Sequence, residues 1–190
     1  RDRLGIIRDL FALAEAGTVP TTDALEFLFA YKHEDNYTVW LELAMGLGRL
    51  EQLLVNNYIG VSYVHRKLLC SNLDKLILEL FSPLTARLGW TAKKGEIHTN
   101  TLLRSLAISR AGRSGDEKII AEARKKFAKG NVNPDIRGAV YSIIAKWGGS
   151  KEYNIFVEKY KKETLHEEKN RIGGALGDFS DAKLLEQTCE

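Results

Sequence analysis

The sequence is poor in cysteine, proline and methionine: its 190 residues hold two, three and one of them. Cys70 and Cys189 stand far apart, with no metal-ligand spacing and no framework pattern. That excludes a disulfide-stapled scaffold, and the expectation is reduced thiols in a reducing compartment, the cytoplasm. Long apolar runs are missing too. No stretch reaches the roughly eighteen residues that a spanning helix needs, so no membrane partner is expected. Charge of one sign is scarce, since 28 Lys+Arg against 25 Asp+Glu leave a net +3. A nucleic-acid binder concentrates a denser basic face, so no nucleic-acid partner is expected. No run alternates apolar and polar residues over enough positions to argue a strand. The opening Arg1-Asp2-Arg3 leads straight into an amphipathic pattern unlike a signal peptide, and Leu184 to Glu190 end inside another. The sequence therefore reads as an excerpt of a longer chain, expected to leave an unburied apolar flank at its C-terminal helix.

What is present is helical period. Leu4, Ile7, Leu10, Phe11 and Ala14 recur at three- and four-residue steps, and Gly17 with Pro20 ends the run. Further helices are expected from about Asp23 to Tyr31, Tyr37 to Val55 and Ile59 to Phe81. Ser82-Pro83 reads as a cap with proline at the first helical position, opening a separate short helix to Leu88. Gly89 to Asn100 reads as the one substantial loop, and a helix from Thr101 to Ala111 is expected to stop at Gly112. Ser114 with Glu117, Asn133-Pro134, Ser150, Thr164 with Glu167, and Ser180 mark the remaining helix starts. The rhythm of helix, short loop, helix predicts an all-α fold of antiparallel hairpins. Stacked as in HEAT or armadillo arrays, they would form part of a right-handed superhelix; an irregular bundle is the other arrangement.

Chemistry is hard to find. His33-Glu34 and His166-Glu167 begin like a zincin helix, but Tyr37 and Asn170 occupy the positions of the second histidine. No Gly-x-Ser-x-Gly elbow occurs and neither cysteine neighbours a histidine in sequence. Catalytic residues and metal ligands are therefore expected to be none, and no cofactor is expected in this stretch. The lysine-rich runs Arg124 to Lys126 and Lys159 to Lys162 read as solvated helix faces. Glu34-Asp35 and Glu167-Glu168 read as surface carboxylates, and Trp40, Phe81, Trp90, Tyr141, Trp147 and Phe156 as packing residues.

Short blocks in order carry a resemblance. Arg3-Leu4-Gly5 through Ala12-Leu13-Ala14, Asn36-Tyr37-Thr38-Val39-Trp40, Phe81-Ser82-Pro83, Arg87-Leu88-Gly89-Trp90, Leu102-Leu103-Arg104, Asp135 to Tyr141 and Glu167 to Ile172 span essentially the whole chain. Together they resemble the C-terminal helical domain of M1-family zinc aminopeptidases, closest to the puromycin-sensitive type. The resemblance implies that residues 1–190 are the first part of that domain, with no catalytic domain present. It implies a parent hydrolase that removes N-terminal residues from peptides with one zinc held upstream, in a catalytic domain of the same chain. This stretch would cap that domain, wall a cavity and meet the distal part of peptide substrates. Lys32, Arg104, Arg137 and Lys159 are the candidate contacts to a peptide's C-terminal carboxylate. For Arg104 and Arg137 a buried structural ion pair, with Asp135 as one partner, is the competing expectation. A helical-repeat scaffold for protein interactions is the alternative function, and a basic helical-repeat RNA binder a further one.

Overall fold

The computed structural model describes residues 2–56 and 62–189. They form helices without a strand: α1 (Asp2–Glu15), α2 (Thr21–Phe27) with a 3-10 turn (Leu28–Tyr31), α3 (Tyr37–Val55), α4 (Tyr63–Leu88), α5 (His98–Arg113), α6 (Glu117–Ala128), α7 (Pro134–Trp147), α8 (Ser150–Lys162), α9 (His166–Leu176) and α10 (Ala182–Cys189). The chain divides into two compact units, Arg1–Arg104 and Ser105–Glu190. Among the described residues no helix is long and apolar enough to cross a membrane.

Caps explain most starts. Asn36 Oδ1 accepts the Thr38 amide, and Asn133 Oδ1 that of Asp135, both at 2.9 Å. Before α6 the cap is Asp116 rather than Ser114: its carboxylate accepts the Lys118 and Ile119 amides. Gly17 turns the chain after α1 at φ 72°, with the Thr18 amide reaching back to the Leu13 carbonyl.

In the first unit α1 and α3 run side by side in the same direction. Arg8 reaches Glu42, Phe11 lies over Gly46 and Glu15 reaches Arg49. Gly46 is what lets them approach, because a Cβ there would lie 2.2 Å from the Phe11 ring. Phe11 is itself buried and cannot swing away. Gly46→Ala should therefore cost about 1–3 kcal/mol through overpacking. Gly48→Ala, with nothing within 4 Å, should instead stabilise by up to about 1 kcal/mol through helix propensity. Chemical denaturation of the two variants separates these outcomes.

Pro83 does not open a new helix; α4 runs through it from Tyr63 to Leu88. Proline removes the amide that would bond the Glu79 carbonyl, a cost of about 3 kcal/mol in an exposed helix. Leu73, Ile77, Leu80, Phe81 and Leu84 continue one buried stripe across the site, and their burial outweighs the local break. Near the other end of that hairpin, Trp40 at the start of α3 meets Phe81, with ring centroids 5.0 Å apart.

The second unit is built on α7, buried on nearly every side through Ile136, Ala139, Val140, Tyr141, Ile143, Ile144 and Ala145. α6 packs antiparallel to α7, Phe127 against Tyr141 and Arg124 against the Trp147 carbonyl. α8 and α9 form the next hairpin, with Lys169 over the Tyr160 ring. α9 lies parallel to α7: Arg137 meets Glu168, Ser142 meets Asp178 and the Lys146 carbonyl meets Ser180. Stacking hairpin on hairpin through like-placed helices is how a helical repeat buries faces that one hairpin cannot. Phe156 sits at the centre, its ring within 6.0 Å of Phe127, Tyr141 and Phe179.

Three expectations about packing need correction. Trp147 is 42% exposed, and its indole N–H donates to the Gly112 carbonyl. Gly112 lies inside α5, where a Cβ would be 2.3 Å from Ile143, so it marks close packing and not a helix end. The apolar flank is also not bare at α10, whose Leu184 is buried.

Candidate functional site

A hollow of about 630 Å³ opens between α7, α8 and α9. Each helix turns side chains one turn apart toward it. α7 supplies Arg137 and Tyr141, α8 supplies Ile155, Lys159 and Lys162, and α9 supplies Glu168 and Ile172. Two of the four residues expected to meet a peptide tail, Arg137 and Lys159, thus line one cavity.

They differ in freedom. Arg137 donates Nε and Nη2 to the Val132 carbonyl at 3.1 and 2.9 Å, and its Nη1 lies 3.1 Å from Glu168. Asp135 is not its partner. Arg171 bonds the same Glu168 carboxylate through Nη1. Glu168, read from sequence as a surface carboxylate, is 6% exposed and holds two guanidiniums. Burial, and then the charge of Glu168, push the Tyr141 phenol above its ordinary value, so it stays a neutral donor. Lys159 is half-buried and makes no salt bridge among the described residues; its charge acts on Glu163 at the rim. The Leu165 and Thr164 amides hold the Glu163 carboxyl below its ordinary range. Lys162 lies 3.7 Å from Glu158. Lys159 is therefore the cation of this cavity that can accept an incoming carboxylate without giving up a partner.

Arg104 and Lys32 belong to the first unit. The Arg104 side chain is 2% exposed, with Nη2 at 2.5 and 2.7 Å from the Glu96 oxygens and the Leu88 carbonyl at 3.3 Å. That is the geometry of a structural pair closing the loop between α4 and α5. Lys32 is exposed and rests its Nζ 4.5 Å over the Phe29 ring. The Lys93 amide, then Arg104, holds the Glu96 carboxyl below its ordinary value of 4.5. A lowered folded value gives stability that is complete above that ordinary value and lost as pH falls through the folded one. Glu96→Gln should flatten the acid limb of a stability-against-pH curve below about pH 4.5 and leave its neutral slope unchanged.

Among the described residues no three His, Cys, Asp or Glu side chains come together as a metal site. His33 and His166 are exposed. The lysine runs carry their own neutralisation: Lys125 and Lys126 lie 3.8 and 3.3 Å from Glu122, and Lys161 lies 3.7 Å from Glu158. Cys70 and Cys189 are free thiols.

A family model described as ERAP1-like C-terminal domain matches residues 1–190. The alanine/arginine aminopeptidase of Saccharomyces cerevisiae is 29% identical over 193 residues, covering 98% of this chain and 22% of that protein. Aminopeptidase M1-A of Oryza sativa subsp. japonica is 28% identical over 200 residues, 100% of this chain and 22% of its own length. The puromycin-sensitive aminopeptidase of Caenorhabditis elegans is 26% identical over 194 residues, covering 100% and 20%. The chain thus spans about a fifth of the length of these relatives.

Proposed function

The chain belongs to the ERAP1-like C-terminal domain family, and from that premise we propose that it is the non-catalytic part of a larger zinc-dependent aminopeptidase. The match over the whole chain to relatives named as aminopeptidases, of which it spans about a fifth, carries the reading. The parent removes N-terminal residues from peptides. Its zinc and its reacting groups belong to a catalytic domain elsewhere in the same polypeptide. The hairpins continue as a HEAT/armadillo-like right-handed superhelix, residues 1–190 being its first part, and the free thiols suit a cytoplasmic enzyme.

In this reading the hollow between α7, α8 and α9 is part of the wall that meets the far end of a long substrate. Lys159 takes the peptide's terminal carboxylate, while Arg137, fixed by Glu168 and the Val132 carbonyl, adds its field without moving. Ile155 and Ile172 supply apolar contact for the preceding side chain. Arg104 is a positioning residue of the fold, and Lys32 adds an exposed charge.

The test is Lys159→Ala in the full-length parent. An exposed-to-half-buried charge contact should be worth about 1 kcal/mol, close to fivefold in affinity. The Michaelis constant for peptides long enough to reach the cavity should rise by that factor. Turnover number, and both constants for a single-residue reporter, should stay unchanged. Equal effects on long and short substrates would remove the cavity from substrate recognition.

A further inference from the structure

The loop between α4 and α5 ties up its own acid and leaves its cations free. Gly89 ends α4 at φ 65°, and Gly95, at φ 79°, lets the chain turn so that the Glu96 amide reaches the Lys93 carbonyl at 3.1 Å. The Lys93 amide donates back to Glu96 Oε2 at 2.7 Å. The Glu96 carboxylate also takes the buried Arg104 guanidinium, so those two charges cancel within the fold. Lys93 and Lys94 stand exposed at the turn and make no salt bridge among the described residues; Lys93 adds its field to Glu96 without pairing with it. Arg87, in the last turn of α4, is likewise without a salt bridge among them. Its Nη2 donates to the Glu34 carbonyl at 2.6 Å, which holds the side chain in place without neutralising it.

All three cations line one hollow of about 390 Å³ inside the first unit, with Asn100 beside them and Leu88 and Leu103 as its apolar part. Asp35, exposed on the turn before α3, is the acid left to oppose them. With Glu96 and Arg104 cancelled, Arg87, Lys93 and Lys94 face Asp35 alone. Like charges gathered round a concave space repel one another, and a bound anion relieves that repulsion. A hollow of this size takes a small molecule. The donors decide which anion. A carboxylate is held best by both prongs of an arginine fork, and one prong of Arg87 is already on the Glu34 carbonyl. Two separate ammonium groups and the remaining guanidinium N–H groups suit a phosphate instead, whose oxygens are shared among donors that do not lie in one plane.

We propose that this hollow binds a small phosphorylated compound, its phosphate held by Arg87, Lys93 and Lys94 with the Asn100 side-chain amide, and its carbon skeleton laid on Leu88 and Leu103. The site is separate from the cavity between α7, α8 and α9 and does not depend on the aminopeptidase reading. A ligand there joins the turn before α3, the end of α4 and the loop after it, and stabilises the first unit in proportion to its occupancy.

Isothermal titration of the full-length parent with inorganic pyrophosphate tests this, with citrate as a carboxylate of similar charge. Pyrophosphate should bind with a dissociation constant below about 1 mM at low salt, and about fivefold or more tightly than citrate. Lys93→Ala with Lys94→Ala should weaken it about tenfold, and Asp35→Asn should tighten it about twofold. Lys125→Ala, on the other unit, should change nothing. The three substituted side chains of the hollow are exposed and make no side-chain hydrogen bond among the described residues, so these variants keep the fold, and Arg87 keeps its bond to Glu34. Absence of pyrophosphate binding overturns the proposal, as does binding indifferent to the lysine pair and to Asp35. Citrate bound as tightly as pyrophosphate overturns it too, because charge alone would then govern the hollow.

Discussion

Replacing Glu168 by alanine is expected to destabilise the protein by about 3 kcal/mol, the low end of what breaking a buried ion pair costs. The carboxylate is 8% exposed and is shared by Arg137 and Arg171, whose side chains are 25% and 26% exposed. Partial exposure keeps the figure at the low end, because water can reach the guanidiniums once the carboxylate is gone. What remains is two like charges facing each other across the α7–α9 contact, and the Tyr141 hydroxyl loses its acceptor. Glu168→Gln keeps the shape and one acceptor oxygen, so it should lose about half as much. Adding Arg137→Met to Glu168→Ala should restore part of the loss, since one orphaned charge is removed with its cause. Denaturant midpoints of the three variants test this. A loss below about 1 kcal/mol for Glu168→Ala would reduce the cluster to surface ion pairs. The same change has a functional reading of opposite sign to Lys159→Ala. On the proposed reading, the Arg137 guanidinium, released from Glu168 at the cavity, should lower the Michaelis constant of the full-length parent for long peptides, while Arg171 keeps Glu167 at 3.0 Å.

The cluster also shows where sequence reasoning reached and where it stopped. Helix type and order followed from period and caps, because three- and four-residue apolar spacing and a cap such as Asn133 act over a single turn. Pro83 misled because the local rule for a proline is short-range, whereas the stripe from Leu73 to Leu84 that overrides it is collective. Glu168 was misread for a related reason. Beside Glu167 it looks like one of two surface acids, and only the parallel packing of α9 on α7 turns it toward Arg137. Its spacing of three from Arg171 was the available signal, and it was common enough on solvated helices to carry little weight. The pairing of Arg104 with Glu96 needed the path of the loop between α4 and α5, which no periodicity encodes. Arg137 and Lys159 share one hollow through the packing of α7 and α8, which no spacing along a single helix encodes.

Trp40→Ala should be the most damaging single change in the first unit, at about 3–5 kcal/mol. The indole is fully buried, meets Phe81 edge-on at 5.0 Å, and donates its N–H to the Glu34 carbonyl at 2.9 Å. That carbonyl also accepts from Arg87, while the Glu34 carboxylate accepts the Asp35 and Asn36 amides and pairs with Arg3 at 2.7 Å. The turn into α3 is thus tied to α1 and to the end of α4 around one side chain. Trp40→Phe separates the contributions. It keeps most of the apolar contact, and the Glu34 carbonyl remains satisfied by Arg87, so no buried acceptor is orphaned. Its loss should be about 1–2 kcal/mol, one hydrogen bond plus a small cavity. If Phe proved as costly as Ala, the hydrogen bond rather than packing would govern the junction, and the weight placed on the α3–α4 core would be misplaced. Thermal unfolding followed by tryptophan fluorescence suits the comparison, with Trp90 and Trp147 left as reporters.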